Sequence, residues 1–104
     1  YSETLAEQLE VFVSQLVADG VDVTFFIPPI LPEYYDYIVS STEYGKCFTE
    51  TWALYSGLAD RYNIPVIGSY SPEGLAADNF YDVLHPTCEY VYRLFDQFRS
   101  SNNI

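Results

Sequence analysis

Two short apolar segments, separated by a long stretch of helical periodicity, constrain the fold of this chain more than any other feature. The first, Val21–Ile27, is rich in β-branched and aromatic residues and is bounded by Gly20 and Pro28. The second, Ile64–Tyr70, has the same character. Both patterns predict β-strands. A strand–helix–strand connection favours parallel pairing with a right-handed crossover, so we expect these two strands to run in parallel.

An amphipathic pattern before the first strand predicts a helix over residues 2–19. Its N-terminus is expected at Ser2, or at a capping box that begins at Thr4, and Gly20 is well placed to end it. The expected apolar stripe consists of Leu5, Leu9, Phe12 and Leu16, with Val13 and Val17 beside it.

Three further helices are predicted along the rest of the chain. One, a helix or only a helical turn, runs from Glu33 to about Glu43 and is broken at Gly45. The next carries a stripe of Phe48, Trp52, Tyr55, Leu58 and Tyr62, whose expected role is core packing. After a loop over 71–79, Thr87 is the expected N-cap of the last helix, which is followed by a frayed tail over 100–104. The buried stripe of that helix is expected to be Tyr90, Val91, Leu94, Phe95 and Phe98.

The resulting order predicts an α/β fold of the form α-β-α-β-α, with a small parallel sheet flanked by helices. Parallel strands require burial on both faces and neighbours on both edges. Two such strands therefore predict the closing half of a flavodoxin-like three-layer sandwich, completed by more chain or by a second copy.

Length and composition predict a single, partial domain over residues 1–104. The chain begins at Tyr1 and contains no Met, which indicates a product cut from a longer protein. Its net charge of −11 argues against nucleic-acid partners and against binding to anionic lipid. No apolar run approaches a membrane span, so we expect no direct membrane contact from this segment. No cofactor is predicted.

The two cysteines, Cys47 and Cys88, lack the spacing of a metal site. They pair if the fold brings them together, and otherwise we expect buried thiols.

The segment with the clearest catalytic chemistry contains the single histidine of the chain, His85, and Asp82 three residues before it. Histidine exchanges a proton near neutral pH, and a carboxylate partner fixes its tautomer and stabilises the imidazolium. The pair is thus a candidate general base with its orienting group. Two alternatives remain open, a merely structural turn and a metal site formed by Asp82, His85 and Glu89.

The C-terminal part of the sequence resembles the end of the SGNH (GDSL-type) hydrolase domain. The resemblance rests on Phe26-Ile27-Pro28-Pro29, on Tyr34-Tyr35-Asp36-Tyr37, on the strand Ile64-Pro65-Val66-Ile67 and on Asp82-Val83-Leu84-His85. The first two of these stretches look like the penultimate strand and following loop of membrane-associated SGNH-like proteins, which act in D-alanine transfer to teichoic acids and in acetylation of exopolysaccharides. Nearly all of this chain matches, but only about the last two fifths of the family domain is covered.

The resemblance implies that His85 is the general base of a serine esterase or O-acyltransferase and that Asp82 orients it. The chain departs from the family because it contains neither Gly-Asp-Ser nor Gly-x-Asn-Asp, and Ser69 follows the wrong strand to be the nucleophile. The segment alone is therefore expected to be inactive. The resemblance also implies an extracytoplasmic parent with a glycan or acyl-ester substrate. The competing prediction is a non-catalytic domain that dimerises through its exposed sheet edge.

Overall fold

The structure is a computed structural model that describes residues 1–82 and 84–102. The helices are α1 (Glu3–Ala18), α2 (Pro32–Ser40), α3 (Thr42–Tyr62) and α4 (Cys88–Asn102), with a short 3-10 helix at Ala77–Asn79. The strands are β1 (Phe25–Ile27), β2 (Val66–Gly68), β3 (Phe80–Asp82) and β4 (His85–Pro86). β1 and β2 form a parallel pair, and β3 and β4 form an antiparallel pair. The predicted mixture of helix and strand with a small parallel sheet is confirmed.

The chain divides into two compact units, each built from two segments. Unit 1 contains Tyr1–Phe25 and Thr42–Val66, and therefore holds α1 and α3. Unit 2 contains Phe26–Ser41 and the described residues from Ile67 onward, and therefore holds α2, the antiparallel hairpin and α4.

The core of unit 1 lies between apolar side chains of α1, α3 and the residues next to them. Its buried members are Val13, Phe25, Leu58, Ala59 and Ile64, and Leu9, Val17, Val23, Leu54, Tyr55, Tyr62 and Val66 pack around them. The rings of Phe25 and Tyr55 meet edge to face, with centroids 5.0 Å apart. Such aromatic contacts add to the hydrophobic stabilisation of a small core.

The buried face of α1 differs from the predicted stripe. Val13 is buried, and Leu9 and Val17 pack beside it at a spacing of four residues. Leu5 is 65% exposed and Phe12 is also exposed. The prediction that these two residues line the core was wrong, because several spacings of three or four satisfy the same apolar pattern and the packing partner selects one of them.

Hydrogen bonds define both ends of α1. The Ser2 hydroxyl accepts a hydrogen bond from the Leu5 amide, so Ser2 is the N-cap, and Thr4 lies inside the helix. At the other end Gly20 has φ +78°, and its amide donates to the carbonyl of Val17. Glycine adopts this left-handed conformation at no steric cost, which confirms the predicted end of the helix.

A side-chain cluster joins α1 to α3 on the surface of unit 1. The Glu10 carboxylate accepts hydrogen bonds from the Arg61 guanidinium and, at 3.0 Å, from the Tyr62 hydroxyl. These bonds, that of Arg61 first, lower the pKa of Glu10 because they stabilise its charged form.

The break between α2 and α3 lies at Ser41 and not at Gly45 as predicted. Ser41 has extended dihedral angles (φ −82°, ψ 130°). Gly45 lies inside α3, where its carbonyl accepts a hydrogen bond from the Thr49 hydroxyl at 2.8 Å. Glycine costs a helix only about 1 kcal/mol relative to alanine, so packing overrides it readily.

The predicted core stripe of α3 was wrong at one position. Trp52, which its spacing placed in that stripe, is exposed.

Both parallel strands are shorter than their sequence patterns predicted. The hydrogen bonds nevertheless continue beyond the three-residue strands, from the Phe25 amide to the Pro65 carbonyl and from the Ile30 amide to the Tyr70 carbonyl. Gly68 closes β2 with φ +87°. The regular ladder stops near the prolines, because Pro65 before β2 and Pro28 and Pro29 after β1 have no backbone N–H to donate.

Unit 2 has buried apolar side chains of its own and an aromatic contact to α4. Ile27, Ile30, Ile67 and Phe80 are buried, and the Phe26 and Phe95 rings lie 5.6 Å apart.

Helix α4 starts where predicted but extends further. The Thr87 hydroxyl accepts a hydrogen bond from the Tyr90 amide at 3.4 Å, as expected of an N-cap. The predicted stripe of α4 is partly buried along its length. The frayed tail predicted over 100–104 is wrong up to Asn102, because the helix extends that far, and residues 103 and 104 lie outside the described residues.

Among the described residues, every helix falls short of the length and apolar character needed to cross a membrane.

Candidate functional site

The β3–β4 hairpin brings Asp82 and His85 face to face. The strands pair antiparallel with Phe80 opposite Pro86 and Asp82 opposite His85. Phe80 is buried and anchors the first strand. The Thr87 amide donates to the Asn79 carbonyl at 2.8 Å, which fixes the base of the hairpin. The pair therefore sits at the tip of a short hairpin whose other end is held by packing and backbone hydrogen bonds.

A short hydrogen bond joins the two side chains. Asp82 Oδ1 lies 2.6 Å from His85 Nδ1, and the same oxygen accepts the Leu84 amide at 3.0 Å. An ionised carboxylate only accepts hydrogen bonds, so the proton of this bond belongs to the imidazole Nδ1. In the neutral imidazole this places the lone pair on Nε2, where a general base needs it. The sequence prediction that Asp82 and His85 come together is confirmed in geometry.

These contacts act on the acidity of Asp82. The hydrogen bond from His85, and then that from the Leu84 amide, lower the pKa of Asp82 below its ordinary value of 3.8. Both bonds favour the charged carboxylate. Asp82 is therefore ionised at neutral pH and able to stabilise a positive charge on the ring beside it.

The pair is open to water. The side chain of His85 is 72% exposed and that of Asp82 is 60% exposed. Two large side chains next to the pair, Tyr81 and Leu84, are exposed as well. In the serine protease triad the orienting carboxylate is buried, where the low dielectric strengthens its hold on the imidazolium. Asp82 and His85 have the geometry of an orienting carboxylate and a general base. They lack the burial that strengthens the interaction between the two groups in that triad.

The predicted alternative of a metal site formed by Asp82, His85 and Glu89 has no support among the described residues. The Glu89 carboxylate lies 3.8 Å from the Arg93 guanidinium, one turn along α4. No group of three His, Cys, Asp or Glu side chains suited to holding a metal ion occurs among the described residues.

Ser69, the serine that follows Gly68, takes part in a local turn. Its hydroxyl accepts a hydrogen bond from the Ser71 amide at 3.1 Å. This contact stabilises the loop after β2. An amide donor does not remove the proton of a hydroxyl, so the contact does not activate Ser69 as a nucleophile.

The expectations for the cysteines were wrong in both forms. Cys47 and Cys88 are free thiols, and both are exposed. Both lie on the solvent side of helices whose opposite side packs inward, so neither the disulfide nor the buried thiol is observed.

Sequence reasoning missed the hairpin and the Leu84 amide as a donor to Asp82. The sequence carries no alternation that marks these strands, because Phe80 and Tyr81 are both aromatic, and in the fold Phe80 is buried while Tyr81 and Asp82 are both exposed. The strands contain only three and two residues, which is below the length at which such alternation predicts a strand.

Comparisons with protein-family models, with curated proteins and with solved structures found no match for this chain.

Proposed function

We propose that Asp82 and His85 are the orienter and the general base of an SGNH-like serine esterase or O-acyltransferase. The observation that supports the proposal is the 2.6 Å contact from Asp82 Oδ1 to His85 Nδ1. It leaves Nε2 as the nitrogen that accepts a proton, and it pairs the ring with an ionised carboxylate. In this proposal the described chain is the closing part of a flavodoxin-like domain, and the nucleophilic serine lies outside it.

The proposed reaction proceeds in two steps. Nε2 of His85 removes the proton from the serine hydroxyl while the serine oxygen attacks the acyl carbonyl. The imidazolium, stabilised by Asp82, then returns the proton to the leaving oxygen or sulfur as its bond to the acyl carbon breaks. In the second step Nε2 of His85 removes a proton from water or a glycan hydroxyl, whose oxygen attacks the acyl carbon. The imidazolium then returns this proton to the serine oxygen as the bond between serine and the acyl carbon breaks. We propose esters of an extracytoplasmic glycan or cell-envelope polymer as the substrate class, following the resemblance.

The test is an assay of p-nitrophenyl acetate hydrolysis by the full-length protein. Removing the base with His85→Ala and the orienting charge with Asp82→Asn should each lower kcat by roughly 10²-fold or more. The matched control is Asp78→Asn, which removes the same charge from the 3-10 helix of the same segment. A full-length protein that does not turn over the ester, or variants that match the control, would contradict the proposal.

A second candidate is a non-catalytic domain that associates through its sheet. The parallel pair contains only β1 and β2 in the part of the chain that the structure describes, so each strand has one edge without a strand partner. Exposed strand edges readily pair with another chain. Light scattering distinguishes this candidate, because a stable dimer that His85→Ala leaves intact would favour it and a monomer would count against it.

A further inference from the structure

Aromatic rings and carboxylates lie together on the outward face of α2. Tyr34 is 48% exposed and Tyr37 is 63% exposed, and Glu33 and Asp36 beside them are exposed too. Residues three and four apart are neighbours on a helix, so Tyr37 adjoins both Tyr34 and Glu33. We refer to Glu33, Tyr34, Asp36 and Tyr37 as the α2 strip.

The α2 strip is not the side on which this helix packs. Tyr35 and Ile38, three residues apart, are partly buried and form the inward side of α2. Glu33 and Tyr37 lie on the opposite side of the helix from these two residues, and Tyr34 and Asp36 lie on its two flanks. The aromatic area of the strip therefore remains in water, although burying such rings is favourable.

The lysine and arginine side chains pair with carboxylates outside the α2 strip. The four Lys and Arg side chains form ion pairs within the chain, namely Lys46–Glu50, Arg61–Glu10, Arg93–Glu89 and Arg99–Asp96. None of these pairs involves a carboxylate of the α2 strip. With a net charge of −11, the chain also attracts cationic partners over longer distances.

We propose that the α2 strip is a docking surface for a basic polypeptide segment. Arg and Lys side chains of that segment lie over the rings of Tyr34 and Tyr37, and their charges pair with Glu33 and Asp36. A cation over an aromatic face is attracted by the ring quadrupole, and a nearby carboxylate adds a direct Coulomb attraction. This inference stands independently of the chemistry proposed for Asp82 and His85.

The shape of the strip favours a polypeptide over a small ammonium compound. Small quaternary ammonium ligands are recognised by aromatic residues that enclose them as a cage. The α2 strip is an open surface that follows the helix for about 6 Å from Glu33 to Tyr37. A polypeptide can place successive basic side chains along such a surface.

The experiment measures fluorescence anisotropy with labelled nona-arginine and nona-lysine peptides at about 0.1 M ionic strength, where charges are screened beyond roughly 10 Å. The protein should bind the arginine peptide more tightly, because guanidinium groups stack on aromatic rings. The double variant Tyr34→Leu/Tyr37→Leu should weaken arginine-peptide binding by roughly 5- to 25-fold and remove the preference for arginine. Tyr34→Phe/Tyr37→Phe keeps both rings and should bind as the wild type does.

Two controls separate the strip from general charge attraction. Tyr92→Leu removes an exposed tyrosine from α4, where Arg93 follows it, and should leave binding unchanged. Glu33→Gln/Asp36→Asn should weaken binding more than Glu3→Gln/Glu7→Gln, which changes the net charge equally on α1. Circular dichroism of each variant verifies that the helices persist.

Three outcomes would overturn the proposal. The first is a double tyrosine variant that binds both peptides as the wild type does. The second is equal loss of affinity in the strip variants and in their controls, which would show attraction by net charge alone. The third is a dimer that dissociates only when Tyr34 and Tyr37 are replaced, which would make a second copy the occupant.

Discussion

Gly68 faces the backbone of Ile27 so closely that a Cβ atom at position 68 would overlap the Ile27 carbonyl oxygen. Gly68 also has φ +87°, a conformation that costs other residues about 1–2 kcal/mol. Because both penalties act at one position, Gly68→Ala should lower the free energy of unfolding by at least about 2 kcal/mol. Urea unfolding followed by circular dichroism measures this loss.

The control for that substitution is Gly57→Ala. Gly57 lies inside α3, and a Cβ atom there would meet no atom within 4 Å. Alanine should therefore raise the free energy of unfolding by roughly 0.5–1 kcal/mol, the usual gain over glycine in a helix. If both alanine variants unfold at the same urea concentration, the close approach of the two strands is not as described.

Leu58 should be among the most sensitive core positions of unit 1. Its side chain is 1% exposed, so Leu58→Ala leaves a cavity and should cost about 2–5 kcal/mol. Leu5→Ala makes the same chemical change at an exposed position and should cost less than about 0.5 kcal/mol. Thermal and urea unfolding of the two variants test the corrected face of α1, since similar losses would place Leu5 in the core after all.

The link between Glu10 and Arg61 should make stability depend on pH in acid. The lowered pKa of Glu10 means that its contribution is present above its ordinary value of 4.5 and is lost as the pH falls through the value in the folded protein. Glu10→Gln should therefore lower the Tm at pH 7, and the difference from wild type should shrink as the pH falls below about 4. The control is Glu7→Gln, which removes the same charge from the same helix and leaves the Glu10–Arg61 contact in place, and equal convergence in both variants would contradict the prediction.

The hydrogen bonds to Asp82 should be visible in its titration. Because His85 and the Leu84 amide favour the carboxylate, the side-chain carboxyl carbon of Asp82 should titrate below 3.8 in a carbon-detected NMR experiment. His85→Ala removes the larger cause and should raise the pKa of Asp82. The associated stability is present above the ordinary value and is lost as the pH falls through the lower one. An unchanged titration in His85→Ala would show that the contact is not formed in solution.

The order of elements in the first two thirds of the chain could be predicted because each carries its own signal. Ser2 and Gly20 mark the ends of α1 by capping and backbone chemistry, which act over a few residues. The face that α1 buries could not be predicted, since Leu9, Val13 and Val17 are selected by contacts with residues some 50 positions away. The break at Ser41 was missed for the same reason, because local propensity at Gly45 is weaker than packing.

The candidate site was predictable to a different extent. The spacing of Asp82 and His85 allowed their contact, and the structure contains it. Their exposure to water does not follow from spacing, because it depends on which other segments cover the hairpin. The α2 strip could not be predicted either. The sequence does not distinguish Tyr34, Tyr35 and Tyr37, whereas in the fold Tyr34 and Tyr37 are exposed and Tyr35 is partly buried.

The hairpin also has a consequence for the order of folding events. Asp82 and His85 are three positions apart, whereas Glu10 and Tyr62 are 52 positions apart. The entropic cost of closing a loop grows by about 0.6 kcal/mol for each doubling of its length, and hairpins form within about 1–10 μs. We therefore expect the Asp82–His85 contact to form before the contacts between α1 and α3. It can open and reclose many times during the lifetime of the folded core, so this proton-exchanging pair equilibrates faster than the rest of the molecule.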